Sequence, residues 1–285
     1  MRKSLITTAV LGALAAPSFV FAADAAPTSD LTVAYNVGLY SQYIFRGLTQ
    51  TNKEPAIQGG VDLSHSSGFY IGAWASNISW LRGEAFQATS PATTFYKKGG
   101  NIEMDIYAGY KHTFDSVGSG LGIDLGVLQY YYPGTLNADT AKADTTELYG
   151  ALSYGWVQAK LSNVVSKGAW TVGKTTAITG SENAQGTYYA DITATIPLSD
   201  LVGAKDGLAS GIIAIAHVGR QEFNAGKVND VFSYTDYKLG LQKTFENGVN
   251  IGGYWTSANT RRDQWLIDGR NIGDDTGTVY VQKTF

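Results

Sequence analysis

The chain has 285 residues, 34 glycines, no cysteine and a net charge of −3, and charged residues make up 16% of it. The lack of cysteine excludes a disulfide framework and a thiolate nucleophile. The mild negative charge gives no basis for binding nucleic acid. A bundle of membrane helices is excluded because each span needs about 20 nearly unbroken apolar residues, and the mean hydropathy is near zero. With 44% apolar residues, the chain can still bury a core.

Residues 1–22 have the three-part order of a secretory signal peptide. Arg2 and Lys3 form a basic start, an apolar stretch follows, and Ala22 is a small residue at the expected cleavage point. Loss of the two basic residues changes the net charge from −3 to −5. Because the apolar stretch is too short to anchor the chain, we predict an exported protein whose mature part opens with a short periplasmic segment over 23–30.

From Leu31 to the end, apolar residues recur at every second position in twelve segments, as is typical of strands with two different faces. The first segment runs from Leu31 through Tyr43 and Phe45, whose apolar row alternates with polar residues that end at Arg46. The other segments centre on residues 57–64, 69–75, 104–111, 121–128, 147–154, 157–162, 191–196, 208–220, 236–242, 249–255 and 278–282. The 208–220 segment is apolar on both parities, so the sequence leaves its faces unassigned.

Short and long connections alternate between these segments. The long ones lie near residues 47–55, 81–100, 133–144, 166–185, 223–231 and 261–275. An even number of strands with strictly alternating loop lengths places every long loop at one rim and both termini at the other, as in bacterial outer-membrane barrels. A soluble β-sandwich has no reason to sort its loops in this way. We therefore predict an all-β fold, a single antiparallel up-and-down transmembrane β-barrel of about 12 strands over 31–285.

Aromatic residues at the ends of the segments predict the two girdles of such a barrel. One rim would carry the Phe that ends each of three related tetrapeptides, namely 111–114, 242–245 and 282–285. The opposite rim would carry Trp74, Trp80, Tyr130, Tyr131, Tyr132, Tyr188, Tyr189, Phe232 and Trp255. The terminal Phe285 resembles the assembly signal of outer-membrane proteins, so the predicted partners are outer-membrane lipid and, through Phe285, the outer-membrane assembly machinery.

Three stretches near the N-terminus resemble a known family. They are Tyr40 to Gln50 (YSQYIFRGLTQ), Pro55 to Asp62 (PAIQGGVD) and Ser67 to Asn77 (SGFYIGAWASN). Together they resemble the TorF-like porins of proteobacterial outer membranes, known chiefly as conserved hypothetical proteins. The resemblance covers roughly residues 40–80 and implies an outer-membrane barrel in a Gram-negative bacterium and a passive channel. It implies no substrate and no catalytic residue.

Two patterns that usually carry chemistry do not indicate it here. Residues 168–175 fit the phosphate-loop pattern, but no helical period follows them, as a working loop would require. The three histidines, His65, His112 and His217, are far apart, and none has a second ligand at metal-binding spacing. We therefore expect no cofactor and no metal.

The informative residues are charged side chains on the polar parity of the segments, which predicts a water-filled interior. These candidate pore-lining residues are Arg46, Asp62, Glu103, Asp105, Lys111, Asp124, Glu147, Lys160, Asp191, Asp236 and Lys238. They could form ladders of salt bridges in a filled barrel, or they could line a passage and bias its ion traffic. Twelve strands give a backbone diameter of about 24 Å and a passage of about 10 Å or less. We predict a narrow channel for ions or small solutes with a mild cation preference, and no catalysis.

Two other functions stay open at this stage. A barrel enzyme acting on lipids needs a His–Ser pair on the lipid-facing wall near the outer rim. His65 and His112 belong to the opposite rim, and His217 lies in the unassigned segment. A closed structural or adhesive barrel would instead bind partners through its long loops, for example at 97–100 or 261–263.

Overall fold

The fold is a closed antiparallel barrel of twelve strands, as predicted. The computed structural model describes residues 29–84, 94–118, 120–138, 140–173, 183–202, 209–226 and 229–285. The segment predicted as a signal peptide lies outside these residues. The barrel strands are β1 (Leu31–Tyr40), β4 (Ala56–His65), β5 (Phe69–Asn77), β7 (Ile102–Phe114), β8 (Leu121–Tyr131), β10 (Thr145–Tyr154), β11 (Val157–Val164), β12 (Tyr188–Pro197), β13 (Ile212–Glu222), β14 (Tyr234–Thr244), β15 (Val249–Ala258) and β18 (Thr276–Thr284).

Three two-stranded sheets and two short helices lie in the connections. The small sheets pair β2 (Ile44–Phe45) with β3 (Leu48–Thr49), β6 (Tyr96–Gly99) with β9 (Gly134–Leu136), and β16 (Leu266–Ile267) with β17 (Arg270–Asn271). The helices are α1 (Leu198–Val202) and α2 (Asn229–Phe232). No helix in the described part of the chain is long and apolar enough to cross a membrane.

Each barrel strand pairs with its sequence neighbours in the barrel, and the first strand pairs with the last to close the sheet. That seam joins β1 to β18, from Asn36 opposite Thr284 to Tyr40 opposite Tyr280. Closure leaves no strand edge with unpaired backbone groups, which is the condition for a sheet surrounded by hydrocarbon.

The two ends of the barrel differ as the loop lengths predict. We call one the turn end, because it carries the short connections around 66–68, 115–120, 155–156 and 245–248, together with Leu31 and Thr284. The longer connection from β12 to β13, which contains α1, lies at the same end. The other is the loop end, where the long connections lie. At the turn end, Lys243 donates to the carbonyl of Ser210 and Lys283 donates to the carbonyl of Asn247. Gln242–Phe245 and Gln282–Phe285 therefore repeat in structure as well as in sequence.

The outer face of the barrel is apolar. In β1, Leu31, Val33, Tyr35, Val37 and Leu39 are all exposed, and Leu39 keeps 59% of its surface accessible. The same parity is exposed in the other strands, so the predicted apolar rows do lie on the outside. Such a continuous apolar surface is far larger than the patches that soluble monomers tolerate.

The first strand is shorter than the sequence predicts. β1 ends at Tyr40, and the chain then turns into the barrel, so Tyr43 and Phe45 are buried inside rather than exposed on the apolar row. Residues 42–51 form what we call the inner hairpin, in which every residue is buried. Gln50 donates its backbone N–H to the carbonyl of Tyr43. The alternating pattern of the first segment thus continues past the end of β1 into the inner hairpin.

A two-residue turn makes the inner hairpin possible. Arg46 and Gly47, at its tip, have φ values of 45° and 78°, as a tight hairpin turn with two left-handed residues requires. A Cβ on Gly47 would lie 2.5 Å from the Cβ of Asp236 in β14. The tip therefore reaches β14, which lies three strands from β1 around the barrel.

The loop end covers the inner hairpin. Thr49 donates its backbone N–H to the carbonyl of Ile272, and Ser79 donates to the carbonyl of Gln50. Leu81 and Tyr96, from the connection whose position the sequence left open, are fully buried at this end. Residues 85–93 of that connection lie outside the described part.

Candidate functional site

All eleven charged residues predicted to line a pore face the barrel interior. Most are buried, with at most 5% of their surface exposed, and these are Arg46, Asp62, Glu103, Asp105, Glu147, Asp236 and Lys238. Four stay partly exposed, namely Lys111, Asp124, Lys160 and Asp191. The interior is thus packed around the inner hairpin, and part of it stays accessible at Lys111, Asp124, Lys160 and Asp191.

Arg46 fastens the tip of the inner hairpin to the barrel wall. Its guanidinium donates two parallel hydrogen bonds to the carboxylate of Glu147, at 2.9 and 2.8 Å, and a third to Gln221 Oε1 at 2.9 Å. The rings of Tyr189 and Phe45 lie 4.3 and 4.8 Å from it. Burial is the largest influence on the pKa of Arg46 and lowers it, but Glu147, Tyr130 and Tyr189 together raise the pKa above its ordinary value, so the guanidinium stays charged.

The carboxylate of Glu103 is held by two tyrosine hydroxyls. Tyr43 of the inner hairpin donates to Glu103 Oε1 at 2.6 Å, and Tyr132 donates to Oε2 at 2.7 Å. Burial, and then the negative charge of Glu103, raise the pKa of both Tyr43 and Tyr132 well above the usual range. Both hydroxyls therefore keep their protons and act as donors at any physiological pH.

Asp105 lies beside this pair but has no partner of its own. Both of its carboxylate oxygens are buried and accept no hydrogen bond from any described residue. In the sheet it lies opposite Trp74 on β5 and opposite Tyr130 on β8. Tyr43 packs edge-on against Trp74, with 5.3 Å between ring centroids. We call Glu103, Asp105, Glu147 and Arg46 the acidic cluster.

A second group lies around His217, which the sequence could not assign to a face. His217 points inward, where its Nε2 lies 2.8 Å from the Tyr189 hydroxyl and its Nδ1 lies 2.7 Å from Thr193 Oγ1. Tyr189 also donates to Asp236 at 2.9 Å. The sequence did contain a clue to the faces of β13. Gly219 and Gln221, a glycine and a polar residue, share the parity of His217 and could have assigned that parity to the interior.

The turn half of the interior carries hydrogen-bonded tyrosines. Tyr107 donates to Asp62, while Tyr70 donates to Asp124 at 2.5 Å and also contacts the hydroxyl of Tyr149. Cations lie on the ring faces here, and Lys160 Nζ is 4.2 Å from the ring centroid of Tyr149. Asp62, Tyr70 and Tyr107 are buried, whereas Asp124 and Lys160 stay partly exposed.

Glycines on the inner wall make room for the tyrosine rings. A Cβ on Gly72 would lie 2.4 Å from the ring of Tyr107, which is its direct neighbour across the sheet. Gly126 stands in the same relation to Tyr149. The rings therefore lie flat along the wall in glycine notches, a known way to compensate for glycine in strands.

Part of the predicted outer girdle is wrong. Tyr130, Tyr132 and Tyr189 are buried in the interior, and Trp74, Trp80 and Phe232 pack against the same interior aromatic cluster. Tyr131, Tyr188 and Trp255 are exposed on the outer face, as predicted. Tyr130 shares the inward parity of Asp124, and Tyr189 shares that of Asp191, so parity alone predicts both rings inside the barrel. Their position near the rim led to the wrong prediction.

The chemical motifs gain no support from the geometry. Of the phosphate-loop match, Lys174 and Thr175 lie outside the described residues, and the preceding part forms only an isolated bridge between Ala169 and Val172. Among the described residues, no three His, Cys, Asp or Glu side chains are arranged to hold a metal ion. His217 is inside the barrel, so it does not supply the lipid-facing histidine that a barrel lipase needs.

An apolar outer face, a closed twelve-stranded wall and a polar, charged interior define the class of transmembrane β-barrels. Within that class, the chain belongs to a bacterial family that is described as a protein of unknown function (Gcw_chp) and that matches residues 24–285. The resemblance to the TorF-like porins stays a prediction. No curated protein matches the sequence.

Several solved structures of outer-membrane proteins match this chain at low identity. The KdgM porin is 8% identical, with a TM-score of 0.46 over 89% of this chain and 98% of that one. OprD of Pseudomonas aeruginosa is 12% identical, with a TM-score of 0.38 over 89% of this chain and 66% of that one. OpdK of the same organism, solved with vanillate, is 13% identical, with a TM-score of 0.40 over 81% and 57%. At such low similarity, no function is taken over from these proteins.

Proposed function

We propose that this protein is a porin-like channel of the outer membrane that lets ions or small solutes diffuse passively, and that it is narrow and mildly cation-preferring. The observation that carries the proposal is the division of the wall into an apolar outer face and a charged inner face. Side chains as polar as Lys160 and Asp191 keep contact with solvent although they point into the barrel. In a filled barrel without a water path, these charges would carry the full cost of desolvation.

The outer face fits the thickness of an outer membrane. Nine residues of β1, from Leu31 to Leu39, carry the apolar row. At about 3.3 Å per residue and about 40° of tilt they span roughly 20 Å, close to the apolar band of about 25 Å in such barrels. In this orientation the turn end faces the periplasm and the loop end faces outward. Outer-membrane lipid is the direct partner, and Phe285 is proposed to engage the assembly machinery.

Two features support a narrow path with a cation preference. The inner hairpin fills much of the loop half, so a solute must pass beside it. The interior charges comprise seven carboxylates and four cations among the eleven residues that were predicted and face inward. An excess of carboxylates along a confined passage favours cations.

The test is electrical recording from the purified mature protein in planar bilayers. We expect discrete openings of low conductance and, in a salt gradient, a reversal potential whose sign indicates mild selectivity for cations. Correct folding is checked separately by the slower unfolding and altered gel migration of a closed barrel. Silent membranes that contain verified, folded protein would refute the channel.

One observation favours a second candidate. Because the inner hairpin is buried throughout and tied down by Arg46, the barrel could instead be closed, with a structural or adhesive role for its long loops. Lys97, Lys98 and Arg262 are exposed at the loop end and are the natural contacts for a partner. The same recordings separate the two, because a barrel closed by the hairpin carries no current while the hairpin is inserted, whereas the proposed channel conducts with the hairpin in place.

A further inference from the structure

We propose that the acidic cluster is a binding site for one monovalent metal cation, with Asp105 as its principal ligand. This inference rests on the proposed channel function and names the site that would confer its cation preference. The starting point is Asp105 itself, which is 1% exposed and whose two oxygens accept no hydrogen bond from the described residues. A buried carboxylate without a partner is energetically costly.

Compensating groups nearby are already used. Arg46 gives two hydrogen bonds to Glu147 and one to Gln221, and both oxygens of Glu103 are taken by tyrosine hydroxyls. The charges that act most strongly on Asp105 are the carboxylates of Glu103 and Glu147. Three carboxylates and one guanidinium leave the acidic cluster two negative charges in excess. A monovalent cation at Asp105 would reduce that excess to one negative charge.

The surroundings indicate which cation fits. A divalent or transition metal needs several converging ligands, and no described trio of acidic or imidazole groups provides them. The residues facing Asp105 across the sheet are instead aromatic, Trp74 and Tyr130. Ring faces attract cations in desolvated sites. One free carboxylate with aromatic neighbours therefore suits a weakly hydrated monovalent ion such as K⁺ or Rb⁺.

The position of the site links it to the inner hairpin. Tyr43 holds Glu103 and packs on Trp74, while Arg46 holds Glu147, so two hairpin residues border the acidic cluster. A cation there would lie beside the hairpin in the packed half of the interior. It would therefore occupy the narrow section through which permeating ions must pass.

The experiment is equilibrium binding of radioactive Rb⁺ to the folded, detergent-solubilised protein, with choline chloride keeping the ionic strength constant. We expect about one Rb⁺ per wild-type chain, displaced by K⁺, and at least tenfold weaker binding by Asp105→Asn. The control is Asp115→Asn, which removes an exposed carboxylate at the turn end and should leave Rb⁺ binding unchanged.

Each outcome decides one question. Wild-type protein that conducts but binds no Rb⁺ overturns the site and leaves the channel intact. Silent protein that binds Rb⁺ through Asp105 overturns the channel and keeps the site. If Asp105→Asn fails to fold, infrared spectra of the wild type decide instead. A protonated-carboxyl band that persists in Rb⁺ means that a proton neutralises the cluster and refutes the proposal, and its absence together with Rb⁺ binding supports it.

Discussion

The ion pair between Arg46 and Glu147 should hold the inner hairpin inside the barrel, and Arg46→Met should release it. Both partners are buried, with 6% and 1% of their side chains exposed, and they share a bidentate contact. Removing one member of such a pair leaves the other charge buried and costs about 3–5 kcal/mol. The twelve-stranded wall keeps its hydrogen bonds in this variant. The lost free energy therefore favours displacement of the hairpin rather than unfolding of the barrel.

The expected magnitude follows directly. A change of about 3–5 kcal/mol raises the ratio of displaced to inserted hairpin by roughly 100- to 4,000-fold, since about 1.4 kcal/mol corresponds to a factor of ten. The natural chain contains no cysteine, so a single Gln50→Cys substitution gives a specific probe. Gln50 is buried in the inserted hairpin, and its labelling by a charged thiol reagent reports the displaced fraction.

The assay combines labelling rates with conductance in the same background. Arg46→Met should label faster by that factor and should conduct more, because the hairpin no longer fills the loop half. The control is Arg46→Met with Glu147→Gln, which leaves no unpaired charge and should recover much of the protection. Equal labelling of Arg46→Met and the parent, or no recovery in the double variant, would refute the ion pair as the fastening.

Three further outcomes are expected. Gly72→Ala should lower the free energy of unfolding by about 1–3 kcal/mol, because its Cβ would meet the Tyr107 ring. Gly277→Ala is the control and should leave the free energy of unfolding unchanged, because nothing lies within 4 Å of its Cβ. Denaturant unfolding of the folded barrel compares the two variants. Burial raises the pKa of Tyr43, so its contribution to hairpin insertion is complete below the ordinary value of about 10 and is lost as pH rises above it. Hairpin labelling should therefore accelerate above pH ~10, and less so in Tyr43→Phe. Phe285→Ala should reduce the amount of folded barrel in the membrane without altering the conductance of the molecules that fold, and normal amounts would exclude Phe285 as an assembly contact.

Much of the wall could be predicted from the sequence because strand faces are a local property. Successive side chains point to opposite faces, so the parity of Asp62, Glu103 and Asp236 within their own segments sufficed to turn them inward. The twelve segments and their alternating connections sufficed to predict the closed barrel. Where a segment is apolar on both faces, as around His217, the same rule cannot distinguish the inward face from the outward face.

The contents of the interior were decided only by the tertiary structure. Tyr43, Phe45 and Arg46 continue the alternation of the first strand, yet they leave it, because positive φ values at Arg46 and Gly47 turn the chain back. Glu147, which binds Arg46 and stabilises this turn, lies 101 residues further along the chain. Period-two patterning describes which way a side chain points from its own strand. It contains no information about which distant charge the side chain meets. The meeting of Arg46 with Glu147 places the hairpin in the barrel, and the carboxylate of Asp105 accepts no hydrogen bond from the described residues.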